Sequence, residues 1–470
     1  MTDPDKFSRY REIIDDWRGF QAAIRRPLPK VLWANTLRIT PEALRALLGP
    51  ELVPLPWSSV AFKVPDELAV GKHWAYLAGL FNIQEEVSML PVHALDLHGA
   101  QRVLDLCAAP GNKTAQISVR IGESGSVIAN DRSIKRMRAV GHTFERLGLL
   151  NIATTTYDAR RYPRPECLFD RVLADVPCSG EGTCRKNRRS VPQVSEEDAL
   201  RMAETQRGIL RNAIRLCRPG GRIVYSTCTF APEENECVLD AVLRESQGAV
   251  RLLPAQIPGF HASPGLTAWQ GRTLDPSLRH GLRVWPHQQD TGGFFVAVLE
   301  RTSSGAERSA TQSATSPTDT VEEERDPWLP LLQERYDIDP RHFAALRIVR
   351  GGRKSVYVSG RHSRPEAPAD AVGMRFVHTK NRPTMTTAAA IRFGALANRH
   401  IVDLDQEQLR AYVSRRDVIL RDPQTTTCTS TGTVIVRYRG YPLGQGLFHL
   451  KSKTLESHYP KGWARAEIIV

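Results

Sequence analysis

Two cysteines stand where a thiol could react. Cys178 lies in Asp175-Val-Pro-Cys-Ser-Gly180 and Cys228 in Ser226-Thr-Cys-Thr229, each after a short apolar run that reads as a strand. A lone buried cysteine is more often inert packing than a nucleophile. Two at the same end of adjacent strands, each beside a polar loop, weaken that reading and place both at one pocket rim. Methylation of cytosine at carbon 5 is a reaction that needs such a thiol. Carbon 5 is too weak a nucleophile to attack a sulfonium methyl, but a thiolate added at carbon 6 creates an enamine whose carbon 5 can. A base must then remove the carbon 5 proton. An acid near ring nitrogen 3 stabilises the adduct, a place that suits Asp175.

A second group of residues reads as a ligand loop. Asp105-Leu-Cys-Ala-Ala-Pro-Gly-Asn-Lys-Thr114 joins a strand to a helix, and its small residues let backbone amides approach a ligand. It has neither the spacing of a Walker loop nor that of a Gly-x-Gly-x-x-Gly dinucleotide loop. Asp131 follows the second strand, where α/β nucleotide sites place an acid on ribose hydroxyls. Asp158 follows the third and could face an adenine amine. Either aspartate alone is equally well a turn or cap residue; their shared place at strand ends favours the ligand reading.

Strands and helices must hold these loops. The sequence predicts strands at residues 102–106, 127–129, 152–156, 171–175, 222–226 and 294–299, the last with 282–285 beside it. Between them it predicts a helix opening near Lys113, one capped by Ser133 and running towards Leu147, one over 196–216, and one opening over 232–236. Residues 218–221 read as a stop and turn. Strands alternating with helices imply an α/β fold with a mostly parallel, doubly wound sheet, which binds ligands beyond its strand carboxyl ends. Residues 96–301 carry this pattern. Residues 1–95 form an N-terminal extension, 302–325 are too polar to order themselves and read as a linker, and 326–470 return to globular composition.

The 470 residues carry a formal net charge of +13, which favours a polyanionic partner. Eight cysteines without a Cys-x-x-Cys pair give no support to a disulfide scaffold or a metal site. Reduced thiols in a cytoplasmic protein are expected, and neither a signal peptide nor a membrane span is read.

These motifs resemble a family. Cys107-Ala-Ala-Pro-Gly-Asn-Lys113, Asp175-Val-Pro-Cys-Ser-Gly-Glu-Gly182, and Tyr225-Ser-Thr-Cys-Thr229 followed by Glu233-Glu-Asn-Glu236 resemble the Sun family of RNA cytosine-5 methyltransferases. Asn35-Thr-Leu-Arg38, Gly79-Leu-Phe-Asn-Ile-Gln-Glu85 and Met89-Leu-Pro91 extend the likeness over about residues 30–300. The resemblance implies a Rossmann-like methyltransferase core that uses S-adenosylmethionine. It implies that Cys228 is the nucleophile, that Cys178 acts in product release, and that Lys113 and Asp175 are active-site polar residues. The cofactor contacts it implies are Cys107, Ala108, Ala109, Pro110, Gly111, Asn112, Lys113, Asp131, Asp158 and Asp175. Cys107 stands where the family often has alanine, Asn112 where it often has serine or glycine, and Asp131 where some members have glutamate. None of these departures removes a required group.

Gly440-Tyr-Pro-Leu-Gly-Gln-Gly-Leu-Phe-His-Leu-Lys451, with residues 455–460, is similar to the β-rich, PUA-like RNA-binding module that ends RsmF-type members. Val284-Trp-Pro-His287 and Gly292-Gly-Phe-Phe-Val296 look like the same group. The partner so implied is small-subunit ribosomal RNA. Transfer RNA as substrate, or an idle RNA-binding assembly factor, are the alternatives. DNA cytosine-5 enzymes share the Pro-Cys motif but use that cysteine as nucleophile, so the Thr227-Cys228 motif favours the RNA class.

Overall fold

The computed structural model describes residues 4–163, 169–186, 194–302, 328–351, 355–363, 367–379 and 383–470. The expected linker from residue 303 onward lies outside them. The N-terminal part opens with a 3-10 helix, Pro4–Tyr10, and helix α1 (Trp17–Arg25). Next come β1 (Lys30–Ala34), α2 (Pro41–Leu48), β2 (Val53–Pro54), β3 (Ala61–Val64), the short α3 (Trp74–Leu77), β4 (Phe81–Ile83) and the short α4 (Leu90–Ala94). Its strands form an antiparallel sheet in the order β2-β3-β1-β4.

The central region alternates β5 (Arg102–Asp105), α5 (Asn112–Ile121), β6 (Ser126–Asn130), α6 (Ile134–Leu147), β7 (Ile152–Thr155), β8 (Phe169–Asp175), α7 (Glu196–Leu216), β9 (Cys217–Thr227) and α8 (Glu236–Glu245). The parallel strands lie in the order β7-β6-β5-β8-β9. Strand Phe294–Arg301 joins β9 antiparallel, with Leu282–Val284 beyond it. Successive side chains point to opposite faces, and both faces are covered. Val103, Val127, Leu173 and Val224 share a cluster with side chains of α4, α5 and α6, while Leu104, Ile128, Val172 and Ile223 share one with side chains of α7 and α8. Chain order reverses between β5 and β8. That is the switch point at which such sheets hold ligands.

The helix starts follow their sequences. Ser133 accepts a hydrogen bond from the Arg136 amide to open α6. Ser195 does the same for Asp198 at the head of α7, whose first turn carries Glu196, Glu197 and Asp198 against the helix dipole. Two expectations are corrected. Residues 218–221 do not end an element: β9 runs unbroken from Cys217, and Gly220–Gly221 are absorbed where the β8–β9 register shifts. Residues 232–235 form a buried turn, and α8 starts only at Glu236 because Asn235 leaves the helical region at φ −109°, ψ −94°.

After helix Trp328–Tyr336 the chain forms a four-stranded sheet over residues 346–385 and then a five-stranded one over 401–457. Ala371–Val372 pairs with β7 and covers that edge of the central sheet. Trp74 packs edge-on against Tyr438, at 4.9 Å between ring centroids, tying the N-terminal part to the second C-terminal sheet. Among the described residues no helix is long and apolar enough to cross a membrane.

Candidate active site

β8 and β9 are paired in register up to Asp175 and Ser226, so the loops that leave them start side by side. The Cys178 and Cys228 sulfurs end up 3.3 Å apart, and the Cys228 amide donates to the Cys178 sulfur at 3.3 Å. The hydrogen bond with Cys228, and then burial, push the Cys178 thiol well above the ordinary thiol range, so Cys178 keeps its proton at neutral pH. The residue after each cysteine repeats the contact: the Ser179 and Thr229 hydroxyls are 2.6 Å apart.

Asp175 accepts from the Ser226 hydroxyl at 2.7 Å through Oδ1 and from Lys113 Nζ at 2.7 Å through Oδ2. Lys113 also donates to Ser88 at 3.0 Å and stands 5.4 Å from the Phe294 ring centroid. Burial pulls the Lys113 ammonium down, but the charge and hydrogen bond of Asp175 outweigh it and its pKa is raised.

The two cysteines, Asp175 and Lys113 open onto a cavity of about 360 Å³ at the switch point. Asp131 and Asp158 line it as well, as do Cys107, Ala109, Pro110 and Asn112 of the first loop. Asp131 is almost fully buried. It accepts from the Ser133 amide at 2.9 Å and lies 3.2 Å from Arg136. Asp158 is half-exposed and also caps a turn, accepting from the Arg160 amide and guanidinium. The hydrogen bonds from Arg160 lower its pKa. Ala108 and Gly111 do not line the cavity. Ala108 donates its amide to Asn130, and Gly111 turns the chain into α5 at φ +93°, where an added Cβ would sit 2.6 Å from Val140.

Residues outside the sequence reading complete the site. Glu234 accepts from the Ser179 amide at 3.0 Å and from Gln206 at 2.8 Å, and Gln206 also donates to the Pro177 carbonyl at 3.0 Å. The Cys178 loop is thus gripped on both sides. Glu234 sits in a motif already singled out for its resemblance. Gln206 carries its own signal, a polar residue on the apolar face of α7 among Ala199, Ala203, Ile209 and Leu210. Ser88 and Arg136 carry none, because only the tertiary fold brings them to the cavity. Among the described residues no group of three or more His, Cys, Asp or Glu could hold a metal ion.

A family model described as 16S rRNA methyltransferase RsmB/F matches residues 92–300. The N-terminal domain of 16S rRNA methyltransferase RsmF matches residues 4–86, and the methyltransferase RsmF PUA domain matches 399–465. The central part of the chain, residues 92–300, is thus similar to the RsmB/F methyltransferases. The likeness of the chain to curated relatives is substantial. It is 40% identical over 294 residues to ribosomal RNA small subunit methyltransferase F of Klebsiella pneumoniae strain 342, covering 60% of this chain and 59% of that one. The protein of the same name from Erwinia tasmaniensis is 37% identical over 301 residues, covering 62% and 61%. The chain therefore spans about three-fifths of the length of these relatives. Among solved structures, a methyltransferase homolog protein from Pyrococcus horikoshii superposes with a TM-score of 0.54 at 28% identity, covering 64% of this chain and 99% of that one. The region over residues 92–300 thus has the Rossmann-like methyltransferase fold.

Proposed function

We propose that this protein is an S-adenosylmethionine-dependent RNA methyltransferase that modifies carbon 5 of cytosine in small-subunit ribosomal RNA, with Cys228 as the covalent nucleophile. The observation that carries the reading is the pair of thiols 3.3 Å apart beside the Lys113–Asp175 ion pair, at the mouth of the switch-point cavity. Residues 96–301 hold the chemistry. Residues 1–95 and 326–470, joined through 302–325, hold the RNA. The relatives' names carry the choice of ribosomal RNA over transfer RNA, and the cytoplasm is where that substrate is found.

The residues present fit the cofactor. Carboxylates at Asp131, Asp158 and Asp175 line the cavity for ribose hydroxyls, an adenine amine and a cationic head, and buried Asp105 has an Oδ1 without a hydrogen-bond partner behind the loop. The cofactor supplies an electrophilic methyl group. Cys228 gives its thiol proton to water and, as the thiolate, forms the sulfur–carbon 6 bond, and the displaced ring electrons build charge towards nitrogen 3. The Lys113–Asp175 pair faces the same opening and supplies the proton and hydrogen bonds that nitrogen 3 then needs. Carbon 5 takes the methyl group. Its proton leaves to water on the Cys178 side, and the freed electrons expel the Cys228 sulfur and restore the ring. The target base leaves its stack to reach this site.

The test is transfer of a labelled methyl group to small-subunit RNA, with the modified position read by bisulfite sequencing. The reading expects one protected cytosine that appears only with active protein. Label on another atom, or on transfer RNA alone, refutes it.

A further inference from the structure

The 3-10 helix at the start of the chain reaches the catalytic loops from 171 residues away. The Tyr10 hydroxyl, fully buried, donates to Glu181 Oε2 at 2.7 Å. The same oxygen accepts from the Thr229 hydroxyl at 3.2 Å. Thr229 in turn is 2.6 Å from the Ser179 hydroxyl, and these are the residues that directly follow Cys228 and Cys178. One residue on from Glu181, the Gly182 amide donates to the Cys228 carbonyl at 2.8 Å. Arg9 holds the other strand exit, pairing with Glu233 at 2.5 Å. The aromatic packing points the same way. Phe230, two residues after Cys228, meets the Phe7 and Phe20 rings edge-on at 5.6 Å each.

Tyr10, Arg9, Glu181, Ser179 and Thr229 do not themselves line the cavity. They govern where the two sulfurs stand. We propose that residues 4–25 are a working part of the site: Tyr10 is a positioning residue that aligns the cysteine pair through Glu181 and the Ser179–Thr229 bridge. A merely adhesive segment would need only the aromatic contacts. Here a buried carboxylate, which burial raises to about pKa 7, joins one N-terminal hydroxyl to one active-site hydroxyl. Glu181 also feels the charges of Arg9 and Glu234, so its charge is set by both the N-terminal segment and the turn before α8. The inference rests on the reading of Cys228 as nucleophile.

The experiment measures the rate at which the full chain forms a denaturation-resistant adduct with substrate RNA in which 5-fluorocytosine replaces cytosine, so that no carbon 5 proton can leave and the adduct persists, for wild type, Tyr10→Phe, Glu181→Ala and Glu181→Gln. Dissociation constants for RNA and cofactor and the melting temperature are measured alongside. Loss of one aligned hydrogen bond is worth about tenfold in rate. Tyr10→Phe and Glu181→Ala are expected to slow adduct formation by about tenfold or more, with both dissociation constants within about twofold of wild type. Glu181→Gln, whose amide oxygen still accepts from both hydroxyls, is expected to recover most of the rate. Wild-type rates in Tyr10→Phe and Glu181→Ala would overturn the proposal. So would losses that follow RNA or cofactor affinity and that glutamine does not rescue. If wild type itself gives no Cys228-dependent adduct, the reading of the nucleophile falls, and this inference with it.

Discussion

Lys113 and Asp175 are each little exposed, and each keeps the other's charge tolerable. Removing the ammonium leaves a half-buried carboxylate without its cation and, on the proposed function, takes a donor from ring nitrogen 3. Lys113→Met is therefore expected to lower kcat for labelled methyl transfer by about a hundredfold or more, the usual worth of a positioned proton donor. A variant within a few-fold of wild type would show that the pair is structural. Asp105 makes a different kind of prediction. Burial pushes its carboxyl up to about 7, while its Oδ2 accepts from the Thr114 hydroxyl at 2.6 Å. The folded state holds this proton where the unfolded chain has already lost it. Stability from this group is thus present at low pH and lost as pH rises from the ordinary carboxylate range through about 7. The melting temperature of Asp105→Asn should fall less than that of wild type between about pH 5 and pH 7. Parallel curves would contradict the assignment. At this scale the sequence named side chains that do line the cavity, Lys113, Asp175, Cys178 and Cys228, because loops after parallel strands leave few other places for them. It did not show that Glu234 and Gln206 hold the Cys178 loop, since those contacts join α7 and the turn before α8.

At the scale of elements, strand–helix alternation made β5 to β9 readable, and Ser133 marked the start of α6 correctly. The Gly-Gly pair in β9 misled because a left-handed glycine, here Gly220 at φ +72°, can be taken up as a bulge inside a strand as well as in a turn between elements. One close approach between elements was not readable at all. Gly182 lies against the Gly293 carbonyl and the Cys228 carbonyl, and an added Cβ would stand 2.2 Å and 2.9 Å from those oxygens. Both are backbone atoms that cannot swing away. Gly182→Ala is expected to shift the loop behind the nucleophile and to lower methyl transfer by more than about tenfold, while cofactor binding on the far side of β5 persists. Unchanged turnover, measured beside cofactor titration, would show that the loop has slack.

For the whole molecule, the surplus of +13 is the property that composition alone makes plain. If phosphate contacts supply the RNA affinity, each adds about −0.7 to −0.9 to the slope of log affinity against log salt, so about four contacts give a slope near −3. A nearly flat dependence in a salt titration would reduce the charge to surface solubility. What the sequence hid at this scale is how the parts touch. Phe7 and Phe20 pack on Phe230, Ala371–Val372 extends the central sheet, and Trp74 meets Tyr438. Each of these joins residues far apart in the chain, and no local pattern encodes such a meeting.

The central claim is that the two thiols divide the work, Cys228 attacking and Cys178 serving release. The most direct test is to denature each cysteine variant after incubation with substrate RNA and cofactor, and to look on a gel for protein that still carries RNA. Cys178→Ala should accumulate this complex because attack proceeds and resolution slows. Cys228→Ala should give no complex and no methyl transfer while binding cofactor, and the double variant should give none. A complex trapped by Cys228→Ala and absent from Cys178→Ala would reverse the roles and contradict the account.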